Sequence, residues 1–138
     1  MKIKKQELIK ALEVVKPGLA QKEMIEQSTS FAFMEGRVVT YNDEISISHP
    51  VKDLDIMGAV KADKLYGFLN KVKAEEIDLQ IDDSEIRLTA GKSKAGLVLQ
   101  AEMKLPLDEI GKIGKWTKVP EGLLDAIKFA SFSCSNDM

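Results

Sequence analysis

The chain has 138 residues, 44% of them hydrophobic and 30% charged, enough apolar material for one domain, or one domain with an appendage, and too much for wholesale disorder. Twenty Lys and Arg against twenty-two Asp and Glu give a net charge of −2, which excludes a uniformly basic nucleic-acid binder but not an uneven distribution of charge. One cysteine, Cys134, and one histidine, His49, exclude an intramolecular disulfide, a cysteine-based zinc site and any site that needs two imidazoles. The opening MKIKKQELIKALEVV is interrupted by Glu7, Lys10 and Glu13, and no run nears the roughly 18 apolar residues of a membrane span, so no membrane association and a reducing cytoplasm are expected.

In chain order, the first helix is predicted over Leu8 to Val15, where Leu8, Ala11, Leu12 and Val15 share one face and Lys10 and Glu13 the other. Pro17-Gly18 ends it. Ser28–Met34 and Arg37–Tyr41 read as strands around a Glu35-Gly36 connection, followed by Glu44–Ser48 with Ile45 and Ile47 on one face. A second helix runs from Leu65 to Val72 on the stripe Leu65, Phe68, Leu69 and Val72. Ile77, Leu79 and Ile81 then alternate with acids, Asp83-Ser84 turns the chain into Ile86–Leu88, and Ala90-Gly91-Lys92 turns it again into a strand holding Leu97 and Leu99. After Pro120, Leu123, Ala126, Ile127 and Ala130 mark a third helix.

The three helices begin at near-equal spacing: LIKALEVV at Leu8, LYGFLNKV at Leu65 and LLDAIKFA at Leu123. A repeat at fixed spacing governs architecture. A module of one helix and a short antiparallel meander is used twice and begun a third time. The expected fold class is therefore α+β, two helices side by side on antiparallel sheets, with residues 1–110 as one domain, 111–115 as a linker and 116–138 as the start of another.

No catalytic constellation survives inspection. His49 sits in SISHP at a strand end; Cys134 has no histidine beside it and is expected to be a partly buried, inert thiol. Asp82-Asp83 sits in a turn between strands, where acids serve turn chemistry, Asp53-x-Asp55 lacks the further ligands of a cation loop, and Gly111-x-x-Gly114-Lys115 lacks the length of a phosphate loop. No enzyme, cofactor or metal is expected. Charge is more informative. Lys61, Lys64 and Lys71 are predicted on one flank of the second helix, with Lys73 closing it; Lys10 lies opposite the first helix's stripe, Lys16 on its flank, Lys22 in the loop beyond, and Lys128 on the third helix. Acids gather elsewhere, at Asp78, Asp82, Asp83 and Glu85 on strands and their turn and at Glu23, Glu26 and Glu35 in or beside the first hairpin. Lysines on one helical layer would contact phosphates without reading bases.

The order of elements resembles the N-terminal part of a bacterial or phage-type DNA sliding clamp, the β subunit of the replicative DNA polymerase. It is carried by MKIKKQELIKAL as an opening strand and helix, RVVTYNDEISISHPV, AVKADKLYGFLNKV, EIDLQIDDSEIRLTAGKSKAGLVLQ as the closing meander, and VPEGLLDAIKFASFSCSND as the start of a next domain. The resemblance implies a non-enzymatic processivity factor: a homo-oligomeric ring whose helices face duplex DNA and whose sheets form the outer wall. It places Lys10, Lys16, Lys22, Lys61, Lys64, Lys71, Lys73 and Lys128 on the DNA side, and a subunit contact at the edge strand around Ala95, Leu97 and Leu99; the alternative for Leu97 and Leu99 is that they are simply core. Polymerase and clamp loader would dock on domains beyond this chain. The alternative is an interaction or regulatory module that keeps the fold without binding DNA.

Overall fold

In a computed structural model of the chain, which describes residues 1–109 and 114–134, the repeat becomes a pair of interlocked modules. The first comprises β1 (Lys2–Lys4), α1 (Lys5–Val15), β2 (Ser30–Met34), β3 (Arg37–Tyr41) and β4 (Ser46–Pro50). The second comprises β5 (Gly58–Lys61), α2 (Ala62–Lys71), β6 (Glu76–Asp82), β7 (Glu85–Ala90) and β8 (Ser93–Val98). Each gives its first strand to the other's meander. The two four-stranded antiparallel sheets have the orders β1-β6-β7-β8 and β4-β3-β2-β5, with Ile3 opposite Ile77 and Phe31 opposite Val60.

The apolar stripes of both helices cover the inner faces of both sheets. Leu8, Leu12, Val15, Leu65 and Leu69 share one buried cluster with Phe31, Phe33, Val38, Ile77, Leu79, Ile86 and Leu88. The sheets meet at their β5 and β8 ends, where Ala59 and Gln100 exchange backbone hydrogen bonds of 2.8 and 2.9 Å. Gly58, at φ 135°, permits that join: a Cβ there would stand 2.8 Å from both the Gln100 carbonyl and Leu99 Cδ1.

The strand β5 has no alternating signature because both of its faces are covered, Val60 by the main core and Ala59 by a second cluster. That cluster lies on the outer face of the β4-β3-β2-β5 sheet. Ala32, Met34, Val39 and Tyr41 are roofed there by Met103, Leu105 and Leu107 of the segment leaving β8. The roof is pinned by Gln27, whose buried side-chain amide donates to the Glu102 carbonyl at 2.7 Å and accepts from the Lys104 N–H at 2.8 Å.

Two strand starts differ from the sequence-based expectation for a local reason. The Asn42 side chain accepts hydrogen bonds from the N–H groups of Glu44 and Ile45, so the chain is still turning there and β4 begins at Ser46. Ile45 is consequently exposed and does not share the half-buried face of Ile47. Likewise the Ser30 N–H donates to the Gln27 carbonyl, which delays β2 past Ser28. The Glu35-Gly36 connection has positive φ at both residues, 50° and 69°, the two-residue turn that matches strand twist.

Met1–Leu107 form one compact unit, and the described residues after it form a second. The expected linker, 111–115, falls largely outside the described residues. In the second unit α3 (Leu123–Ser131) follows Gly122 and has no buried residue, with Leu124 and Phe129 among its exposed side chains. Cys134, expected to be partly buried, is an exposed free thiol, because α3 just before it has no buried residue to form a core around it among the described residues of its unit. No described helix is long and apolar enough to cross a membrane.

Truncating Leu12, which is fully buried between α1 and the sheets, is expected to cost about 2–5 kcal/mol of stability. Leu105→Ala, at the edge of the roof, is expected to cost less, about 2 kcal/mol. Urea unfolding of the two variants against the parent chain checks both values and their order.

Candidate nucleic-acid interface

Direct contacts across the helical layer establish how α1 and α2 lie. Near the start of α1, the Lys5 ammonium donates to the Val72 carbonyl just past the end of α2 at 2.9 Å, a cation on the negative end of the helix dipole. Near the end of α1, Glu13 accepts the Tyr66 hydroxyl at 3.1 Å, and the Lys16 ammonium rests 4.7 Å above the Tyr66 ring centre. The helices are therefore antiparallel, with Ile9, Glu13 and Lys16 on the α1 side of the seam and Tyr66 on the α2 side. The end of α1 is tied to the sheet below by Thr40, fully buried, whose hydroxyl donates to the Val15 carbonyl at 2.5 Å.

This geometry sorts the predicted lysines. At about 100° per residue, Lys64 and Lys71 fall on the flank of α2 turned away from Tyr66 and hence from α1. Lys10 lies opposite the buried stripe of α1, exposed at the layer's surface, and Lys16 lies at the seam. Lys73 and Lys22 are exposed just beyond α2 and in the loop after α1. Lys10, Lys22, Lys71 and Lys73 make no ion pair among the described residues, while Lys64 meets its neighbour Asp63 at 3.5 Å in an exposed pair. Lys128 is in the last turn of α3, in the other unit.

Lys61 departs from the expected grouping with Lys64 and Lys71. It ends β5 opposite Ser30 rather than lying on the helix, which turns it toward the loop between α1 and β2. There its ammonium donates to the Glu23 carboxylate and, at 3.0 Å, to the Thr29 hydroxyl. Glu23 also accepts the Gln27 N–H at 2.8 Å, and these two donors, Lys61 first, hold its carboxyl below the ordinary value of 4.5. Glu23 neighbours Lys22 in sequence, but the strand register brings it to Lys61 instead. Lys61, Lys16, Tyr66, Thr29 and Asp63 border an open cavity of about 610 Å³ between the end of α1 and the start of α2.

Charge divides by layer. The stretches carrying α1 and α2, residues 5–16 and 62–73, hold six lysines against three acids; the two meanders, residues 30–50 and 76–98, hold four basic residues against eight acids, while β1 and β5 bring Lys2, Lys4 and Lys61 to the sheets. On the outer face of β6-β7-β8, Arg87 is held by Asp82 and Glu85 at 3.0 Å each. Gly96 leaves room for Glu85, since a Cβ there would fall 1.8 Å from its carboxylate oxygen.

At the predicted edge, Ala95 and Leu97 turn inward and pack on the core, and Leu99 is a buried core residue just past the end of β8. Their side chains are thus core groups. What β8 presents outward is its backbone edge with Lys94, Gly96 and Val98, the last 73% exposed.

Among solved structures, three with this arrangement are the β subunit of DNA polymerase from Streptococcus pyogenes, the DNA polymerase III β subunit from Thermotoga maritima and the DNA polymerase sliding clamp from Pseudomonas aeruginosa. Their TM-scores are 0.62, 0.64 and 0.60, at 19%, 16% and 18% sequence identity. The matches cover 86%, 86% and 85% of this chain. The fold is that of a sliding-clamp domain. The clamp-fold chain spans about a third of those chains, 33%, 33% and 32% of their lengths. No protein-family model matches the sequence, and no curated protein matches it.

The lowered carboxyl of Glu23 has a consequence for stability. A carboxyl that ionises more readily in the folded chain stabilises it above its unfolded value, and that contribution is lost as pH falls through the lowered folded value. Glu23→Gln is expected to remove this component, so the difference in melting temperature between parent and variant should shrink from neutral pH to about pH 3. A difference that stays constant with pH would contradict the assignment.

Proposed function

We propose that this chain is part of a DNA sliding clamp, a non-enzymatic processivity factor that holds duplex DNA against its helical layer without reading sequence. The observation that carries the reading is the coincidence of the clamp-domain fold with a surplus of lysine on and just past α1 and α2, and of acid in the strands and turns of the two meanders. Lys10, Lys16, Lys64, Lys71 and Lys73 are exposed ammonium groups on or beside two antiparallel helices, and Lys22 extends the row into the loop after α1. Phosphates are sequence-blind partners for such groups, and their release of counterions makes the binding salt-dependent.

Lys128 belongs to this surface only through the arrangement of domains in a longer clamp. The same is true of a homo-oligomeric ring and of docking by polymerase and clamp loader, which the reading assigns to domains beyond this chain. Within the chain, the free backbone edge of β8 is where a neighbouring subunit's strand would continue the sheet, a use that also removes an exposed edge. Leu97 and Leu99 support that edge from the core side.

Duplex DNA of several unrelated sequences should bind with similar, weak affinity that falls steeply with added salt. Reversing both Lys64 and Lys71 to Glu should lower the affinity at low salt at least tenfold and reduce the slope of log K against log salt by about 1.8, for two lost phosphate contacts. Circular dichroism of the double variant checks that the fold is kept. Absence of binding by the parent chain at low salt would favour the interaction module without a DNA role.

A further inference from the structure

The Glu23 carboxylate is used on both sides. One oxygen takes the Lys61 ammonium and the other accepts the backbone N–H of Gln27. Gln27 is buried and left-handed, at φ 66°, a conformation that a non-glycine residue keeps only when its surroundings restrain it. Its side chain in turn grips the backbone of Glu102 and Lys104, in the segment that roofs the outer face of the β4-β3-β2-β5 sheet. A chain of bonds thus runs from a lysine beside the helical layer, through the loop, to the segment that leaves this unit.

Two features make the first link exchangeable. The Lys61–Glu23 pair is well exposed, its side chains 40% and 35% accessible, and pairs of that kind are weak. It also borders the open cavity shared with Lys16 and Tyr66, so an incoming anion has access to the Lys61 ammonium. To an ammonium, carboxylate and phosphate oxygens are the same class of acceptor.

We infer that Glu23 is an internal competitor for Lys61, displaced when a phosphate group enters the cavity beside Lys16 and Tyr66, and that its displacement loosens the Glu102–Lys104 segment through Gln27. The inference rests on the reading of the helical layer as a phosphate-binding surface. A freed Glu23 no longer accepts the Gln27 N–H, the left-handed residue loses one of its restraints, and its grip on the roof weakens. Phosphate binding would then cost the chain an internal ion pair, which lowers affinity and couples the helical layer to the exit segment on the opposite side of the sheet.

The test uses the 138-residue chain, a duplex DNA and, separately, inorganic phosphate. Glu23→Gln should tighten duplex binding about threefold at low salt, the range set by one exposed pair. Glu26→Gln, one unit of charge in the same loop, controls for bulk electrostatics and should change it less. Hydrogen exchange at the Gln27 and Lys104 amides should quicken severalfold when DNA saturates the parent chain, and this response should vanish in Lys61→Ala, which still binds through its other lysines. Equal affinities for the two glutamine variants, or unchanged exchange at Lys104 in DNA-saturated parent chain, would overturn the inference while leaving the proposed function standing. Absence of DNA binding by every variant would overturn the proposed function instead. The phosphate arm then decides: faster Lys104 exchange in the parent chain but not in Lys61→Ala supports the exchange at Lys61, and no change in either overturns it.

Discussion

The exchange of first strands between the two modules is the constraint from which the rest of this structure follows. β1 pairs with β6 and β5 pairs with β2, so neither meander completes its sheet without a strand from the other half. Because each helix directly follows its exchanged strand, the crossing also brings α1 and α2 together, antiparallel, over both sheets. Lys5 makes the dependence concrete. Its backbone N–H bonds to the Glu75 carbonyl in the lead into β6 while its side chain caps α2 at Val72, so the strand-to-helix junction of one module is bonded to the helix-to-strand junction of the other. The two halves must order together, and the helical layer is a joint product of both.

That arrangement separates the two faces of the domain chemically. The helices turn their stripes inward and lysines outward; β6 and β7 alternate apolar residues inward with polar and acidic residues outward. A net charge of −2 is consequently a sum over unlike surfaces, and long-range attraction for a polyanion depends on the layer presented rather than on the total. The two outer sheet faces also differ. That of β1-β6-β7-β8 is polar, with Arg87 between Asp82 and Glu85, whereas that of β4-β3-β2-β5 is apolar enough to need the roof of Met103, Leu105 and Leu107. The segment that leaves the domain is thereby part of its packing, and Gln27 is the polar pin that gives it a definite position.

Much of this was legible in the sequence. The periods of Leu8–Val15 and Leu65–Val72 and the alternation of Ile77, Leu79 and Ile81 are local signals, and local burial patterns report them directly. So was the absence of a second histidine or cysteine. β5 was not, because a four-residue strand covered on both faces carries no period, and its role is defined only by the partner it meets across the sequence. The start of β4 was missed for the opposite reason: the Asn42 side chain overrode the alternation of Ile45 and Ile47 through two short-range hydrogen bonds.

By itself the sequence determined which residues are apolar on which period, and hence the two helices, most of the strands and the lysines available to the helical surface. The tertiary structure decided how those lysines are used. Lys61, one of a row when counted along the chain, is turned by the β2–β5 register onto Glu23, and Lys16 is drawn onto the Tyr66 ring by the antiparallel seam. Lys10, Lys71 and Lys73 remain exposed to solvent. Periodicity encodes the side of an element on which a residue falls, but a side chain's partners are set by contacts between residues dozens of positions apart, and only the folded chain brings those together.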